Sequence, residues 1–200
     1  AAVFFDYDND GDQDLYIGSG GNEFEANSER YLDRLYTNKE GKFERVEGNL
    51  PNGNEATSVV APFDYDNDGD MDLFVGSNIV PRNYPEIPNS YLLKNDNGIF
   101  SKVEVYGLQN VGMVTDASWA DVDGDGWHEL MVVGDWMSIT LFKNHEGHLK
   151  KEPLVVQNEN NNQTSTTGWW RAIQKGDFDN DGDIDFIVAN KGLNNFINPT

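Results

Sequence analysis

Two hundred residues, 38% apolar and 12% aromatic, make a wet but globular chain, because acidic disordered chains lack this many Trp, Tyr and Phe. A formal net charge of −21 leaves no basic patch to neutralise phosphates and excludes nucleic acid as a partner. The absence of cysteine excludes a disulfide scaffold and a thiolate metal site, though not an extracytoplasmic home. No stretch approaches the roughly 18 apolar residues of a membrane-spanning helix, and no signal-like start is present.

The chain opens without Met inside an apolar run, Val3-Phe4-Phe5, and so reads as a fragment or mature piece. That run enters an aspartate-rich loop at 6–14, and a second apolar run, Leu15-Tyr16-Ile17, leaves it. A third run ending in Asn follows a polar stretch (Leu35-Tyr36-Thr37-Asn38), then a turn at Gly41. The order then repeats. Ser58-Val59-Val60-Ala61-Pro62-Phe63 leads into the loop at 64–72, which is followed by Leu73-Phe74-Val75, Leu92-Leu93-Lys94-Asn95, Gly98 and Ile99-Phe100-Ser101-Lys102-Val103. The third copy has its loop at 121–129, then Leu130-Met131-Val132-Val133, Leu141-Phe142-Lys143-Asn144 and Gly147. The fourth has its loop at 177–185 and Phe186-Ile187-Val188, and stops after that second strand at 195–200.

The first aspartates of the four loops, Asp6, Asp64, Asp121 and Asp177, are 58, 57 and 56 residues apart. A near-constant period of this size marks a repeat architecture. Four short strands joined by turns predict a four-stranded antiparallel unit. The uninterrupted apolar second strand predicts cover on both faces, as in sheets stacked around an axis. The expected fold is therefore all-β, a β-propeller arc of about 3.5 blades. It forms one partial propeller over 1–200, with blades at about 1–50, 51–107, 108–160 and an incomplete 161–200. A parallel β-helix has a far shorter period.

The acidic residues are concentrated. Five lie in each of the first, second and fourth loops and four in the third, 19 of the 35. Carboxylates stand at loop positions 1, 3, 5 and 9: Asp6, Asp8, Asp10, Asp14; Asp64, Asp66, Asp68, Asp72; Asp121, Asp123, Asp125, Glu129; Asp177, Asp179, Asp181, Asp185. Glycine is always at position 6, permitting the turn that converges them. The carbonyl at position 7, from Asp12, Asp70, Trp127 or Asp183, is a natural further ligand. This is an oxygen set for Ca²⁺, up to four ions and one per loop, whereas Mg²⁺ holds its waters. An EF-hand is excluded, because it needs a bidentate Glu at position 12. Here that position is Ile17, Val75, Val132 and Val188. A single Asp-Asn-Asp-Gly string is an ordinary hairpin turn; four in register are not.

The stretch Phe63-Asp64-Tyr65-Asp66-Asn67-Asp68-Gly69-Asp70-Met71-Asp72-Leu73-Phe74-Val75-Gly76 and its three copies resemble FG-GAP/VCBS repeats, the calcium-binding blades of integrin-α-type propellers. Val133-Gly134-Asp135-Trp136-Met137, Phe142-Lys143-Asn144, Gly168-Trp169-Trp170 and Asn190-Lys191-Gly192-Leu193-Asn194 narrow the likeness. Together they are similar to bacterial surface VCBS-repeat proteins that carry a terminal ASPIC/UnbV domain, relatives of cartilage acidic protein. The resemblance implies a seven- or eight-bladed propeller with Ca²⁺ in the hairpin between the first two strands of a blade. It also implies a secreted or cell-surface location, associated with a bacterial outer membrane and a larger complex there. The third loop departs, with Glu129 for Asp and Trp127 at the carbonyl position, so its site is expected to be the weakest.

Two function classes remain. One is a non-catalytic surface module that binds a glycan or protein through the polar segments 20–30, 78–89 and 157–168, which carry Phe24, Tyr84, Trp169 and Trp170 at their edges. The blander reading places both tryptophans in the blade core. The other class is a polysaccharide lyase, which needs a base and a positive site for a uronate. His128, His145 and His148 sit where solvent exposure is the default, the 14 Lys and Arg do not cluster, and no nucleophile–base constellation is visible. No catalytic residue is therefore assigned.

Overall fold

The structure, a computed structural model, describes residues 1–51, 53–154, 156–157, 160 and 162–192. Leu193 and Asn194 of the family likeness, and the closing run 195–200, lie outside the described residues.

Each repeat folds as expected into strands joined by tight turns. The first sheet holds β1 (Ala2–Phe5), β2 (Asp14–Ile17), β3 (Arg34–Lys39) and β4 (Lys42–Val46) in sequential antiparallel order. The second holds β5 (Ala56–Phe63), β6 (Asp72–Ile79), β7 (Tyr91–Asp96) and β8 (Ile99–Val103). The third holds β9 (Met113–Ala120), β10 (Glu129–Ser138), β11 (Thr140–His145) and β12 (His148–Glu152). A short hairpin, β13 (Val156–Gln157) with β14 (Gln163–Thr164), interrupts the segment read as a plain loop. β15 (Thr167–Gly176) and β16 (Asp185–Asn190) begin a fourth unit, and the start of β15 pairs with the end of β10. No α-helix occurs among the described residues, and none of their helices is long and apolar enough to cross a membrane. The chain is an all-β arc of propeller blades.

The second strand of each blade is the core strand. Leu73, Phe74 and Val75 in β6, and Leu130, Val132 and Val133 in β10, are all 0% exposed on alternating faces. The double cover inferred from their unbroken apolar runs is therefore present. One core joins blades one and two through Tyr16, Leu35, Leu73, Val75 and Phe100. Another joins blades two and three through Phe74, Leu92, Trp119, Leu130 and Phe142. β1, β5, β9 and β15 neighbour one another in turn, making the first strand of each blade the innermost.

The outer hairpins turn on Glu40-Gly41, Asn97-Gly98 and Glu146-Gly147, each pair with both φ values positive. That is the two-residue turn whose twist matches the flanking strands. The polar segment 20–30 is not a bare loop either. Ser28 caps a 3₁₀ turn at Glu29–Tyr31, which buries Tyr31 with Phe24 edge-on against it at 6.2 Å.

Candidate metal centres

Each aspartate loop is organised by its own carboxylates. The position 1 side chain accepts from the backbone N–H of positions 5 and 6. The distances are 3.2 and 2.9 Å at Asp6, 3.1 and 3.0 Å at Asp64, 3.2 and 3.0 Å at Asp121, and 3.2 and 3.1 Å at Asp177. The position 5 side chain accepts from the N–H of position 7 at 2.8–3.0 Å in all four loops. Position 4 is left-handed in every loop (Asn9, Asn67, Gly124, Asn180), and the position 6 glycines have φ between 87° and 98°. A Cβ added at Gly11, Gly69, Gly126 or Gly182 would meet nothing within 4 Å. Backbone conformation rather than space therefore demands glycine there.

The position 9 acid does more than close the loop. Asp14, Asp72 and Glu129 are at most 2% exposed. One oxygen of each accepts from the N–H of position 2, at 3.1, 3.2 and 2.8 Å. The other accepts from the N–H of the penultimate residue of the third strand, at 2.7 Å for Asn38, 2.7 Å for Asn95 and 3.3 Å for Asn144. Asp185 makes the first of these bonds, to Phe178 N at 2.9 Å. Glu129 thus reaches the same two donors as the aspartates, with the bond to Asn144 stretched.

Positions 1, 3 and 9 converge in all four loops. Carboxylate oxygens of Asp6, Asp8, Asp10 and Asp14 lie within 4.8 Å of one another, and so do those of Asp64, Asp66 and Asp72; Asp121, Asp123 and Glu129; and Asp177, Asp179 and Asp185. Position 5 joins only in the first loop, while Asp68, Asp125 and Asp181 stay outside these groups. The position 7 side chains of Asp12, Asp70, Trp127 and Asp183 are also outside. Asp70 instead links blades, accepting from Asn9 Nδ2 and Asn97 N, each at 2.7 Å.

The donor sets fit a hard divalent cation. They are all oxygen, and Asp66 Oδ1 is buried with no hydrogen-bond partner among the described residues, an acceptor that an ion would satisfy. The fold already draws cations to this place. Lys94, from β7, sets its ammonium on Asp66 and on Asp68 (3.0 Å), and Lys143, from β11, sets its own on Asp123. The corresponding residue of β3 is Thr37, so the first loop has four clustered carboxylates and no lysine from that strand.

The sequence shows the recurring asparagines of the third strand but gives neither them nor the lysines a role. Asn95 Nδ2 donates to Tyr7 O of the preceding blade at 2.8 Å and to Met71 O at 3.1 Å, while its Oδ1 accepts from Gly98 N at 2.8 Å. Asn144 repeats this with Tyr65 O, His128 O and Gly147 N at 2.8, 3.1 and 2.9 Å. The recurrence of Asn near the end of the third strand was the available signal. His128 is a smaller correction, being half-buried and stacked on Phe63 at 4.3 Å rather than exposed.

Burial pushes the Asp72 carboxyl up to about 7, against the lowering effect of the Asn95 and Tyr65 N–H groups, and it raises Asp14 and Glu129 as well. Without metal, the folded state then binds protons more readily than the unfolded chain between roughly pH 4 and 7, so stability falls as pH rises through that window. Calcium needs the carboxylates ionised and adds more as pH rises. Melting in chelator should therefore occur at a lower temperature at pH 7.5 than at pH 5.5, while the gap between calcium and chelator curves widens. Scanning calorimetry at the two pH values checks both slopes.

The profile of the family described as FG-GAP-like repeat matches residues 6–75 and 121–188. Each matched stretch begins at position 1 of one loop and ends within the second strand of the following repeat. No curated protein matches the chain.

Proposed function

The chain belongs to the FG-GAP-like repeat family, and from that premise we propose that it is a calcium-stabilised propeller module holding up to four Ca²⁺. The observation that carries this is the recurrence of one carboxylate group at the same hairpin of four successive blades. Asp6, Asp8, Asp10 and Asp14 hold the first ion; Asp64, Asp66 and Asp72 the second; Asp121, Asp123 and Glu129 the third; Asp177, Asp179 and Asp185 the fourth. Position 7 carbonyls complete the sets, joined in the last three loops by the position 5 aspartates once these turn toward the ion. The ion supplies charge neutralisation, and its role is structural. The first site is the tightest, because it has the most carboxylates and no competing lysine from its third strand.

Titration calorimetry and elemental analysis test this. About four calcium ions should bind per chain, magnesium at equal concentration should not displace them, and Asp8→Ala should remove one. A metal-free protein that evolves no heat with calcium would sink the reading.

The wider setting is our reading of the finer resemblance. It is a bacterial VCBS-repeat protein of the ASPIC/UnbV-associated kind, secreted or held at the outer membrane, whose propeller has seven or eight blades. Phe4 (57% exposed) and Phe43 (44%) lie 5.9 Å apart on the outer face of blade one. The equivalent Phe100 is buried against Phe5 and Tyr7 of the blade before it. The exposed pair supports a further blade on that face. The module is non-catalytic and presents its loops to a glycan or protein at the cell surface. Incubation with acidic polysaccharides discriminates the lyase alternative, because unsaturated products would establish an enzyme.

A further inference from the structure

Outside the metal loops, four buried side-chain polar atoms lack a partner among the described residues, and two of them, Asp135 Oδ1 and Trp169 Nε1, belong to residues paired across β10 and β15. The first is an acceptor and the second a donor. Asp135 also lines a cleft of about 410 Å³, whose walls include Tyr84, Ile87, Met113 and Trp136.

Trp136 is held there at a cost. The pairing of β10 with β15 steps from Asp135 to Met137, so Trp136 is the extra residue of a bulge, and its φ is +57°. A bulky residue in the left-handed region is strained, and such strain and bulges concentrate where a side chain must be re-aimed. The result is an indole 53% exposed beside Tyr84, itself 61% exposed. Trp136 Nε1 donates to the Tyr84 hydroxyl at 2.9 Å, which leaves the hydroxyl proton free. Trp169 braces the indole edge-on, ring centres 4.4 Å apart.

We propose that this cleft binds a pyranose residue of a glycan, its apolar face on Trp136 and its hydroxyls toward Asp135 and Tyr84. The proposal rests on the surface-module reading above and gives it a site. Sugar hydroxyls both donate and accept, so they can satisfy the unmatched Asp135 oxygen and accept from the Tyr84 hydroxyl; a purely apolar ligand would leave the Asp135 acceptor orphaned. An ammonium ligand is disfavoured because cations are already in place. Arg171 pairs with Asp135 at 3.1 Å, and Lys191 Nζ sits 5.0 Å from the Trp169 ring centre. The volume suits one or two sugar rings.

The test uses the calcium-loaded chain against soluble neutral polymers (glucan, mannan, galactan) and uronate polymers (alginate, polygalacturonate), with proline-rich peptides as a contrast. Tryptophan fluorescence and calorimetry read the binding. Trp136→Gly should weaken glycan binding at least tenfold while leaving the melting temperature unchanged or higher, because glycine relieves the left-handed strain. Asp135→Asn, which keeps the shape, should weaken it several-fold. Preference for uronates would assign their carboxylate to Arg171 and Lys191; preference for neutral polymers leaves those cations with Asp135 and Trp169. Glycan binding that survives Trp136→Gly overturns this site but leaves the surface-module reading standing. Failure of the parent chain to bind any glycan, or binding of peptides alone, overturns the site and the glycan reading together. A large fall in melting temperature for Trp136→Gly would make the indole a core element and overturn the site.

Discussion

Removing calcium lowers the melting temperature of this chain by about 20 °C or more. Carboxylate oxygens held within 4.8 Å of one another repel by roughly 3 kcal/mol per pair at an effective dielectric near 20. Lys94 and Lys143 offset part of that repulsion in the second and third loops, and calcium offsets it in all four. A site with a Kd near 10 μM in about 1 mM Ca²⁺ contributes roughly 2.7 kcal/mol, and for a chain of this size each kcal/mol moves the melting temperature by about 2–4 °C. Four sites then account for a shift of tens of degrees. Calorimetry in calcium against EDTA measures it, with magnesium unable to restore the lost stability. An unchanged curve would mean that the loops are ordinary turns.

Two variants separate the ion from the scaffold in that experiment. Asp8→Ala removes a carboxylate to which no backbone N–H donates among the described residues, so it should destabilise in calcium and, by relieving repulsion within the cluster, leave stability unchanged or higher in EDTA. Asp14→Ala also orphans the N–H groups of Tyr7 and Asn38, so it should destabilise in both. A buried orphan donor costs about 1–3 kcal/mol.

The parts of the fold that could be read in the chain were those repeated within it. The glycine at position 6 and the apolar position 12 each recur four times at a near-constant period, and they place the loop between two strands without reference to anything distant. What escaped was carried by groups far apart in sequence. Lys94 reaches its loop from 28 residues beyond Asp66, and Asn95 bonds a carbonyl 88 residues earlier. Trp136 was visible as a residue but not as a bulge, because a register step depends on the partner strand. The position 9 acid was read as a metal ligand alone; its two backbone bonds depend on where Asn38, Asn95 and Asn144 arrive after the third strand pairs. The longer Glu129 illustrates the limit. Sequence suggested a looser site, and the structure locates the slack in one bond, to Asn144 at 3.3 Å.

Asn95→Ala should therefore cost more than the loss of any one side chain on the blade surface, about 3–5 kcal/mol. The side chain is fully buried and serves three backbone groups: Tyr7 O in the preceding blade, Met71 O in its own loop and Gly98 N in the outer turn. Alanine leaves two carbonyls and one N–H without partners in a dry seam, at about 1–3 kcal/mol each, offset in part by relaxation. The same change at Asn38 is the internal control. Among the described residues the Asn38 side chain donates to Gln13 O, at 3.1 Å, accepts from Gly41 N at 2.8 Å and makes no bond into another blade, so its loss should cost about half as much. Urea unfolding in calcium gives both values. Equal costs would mean that the bond to Tyr7 O contributes nothing, and that the hydrophobic seam around Phe5, Tyr7 and Phe100 joins the blades unaided. A larger cost at Asn95, with calcium affinity at the second loop also reduced, would show that the asparagine couples ion site to blade seam through the N–H it donates to Asp72.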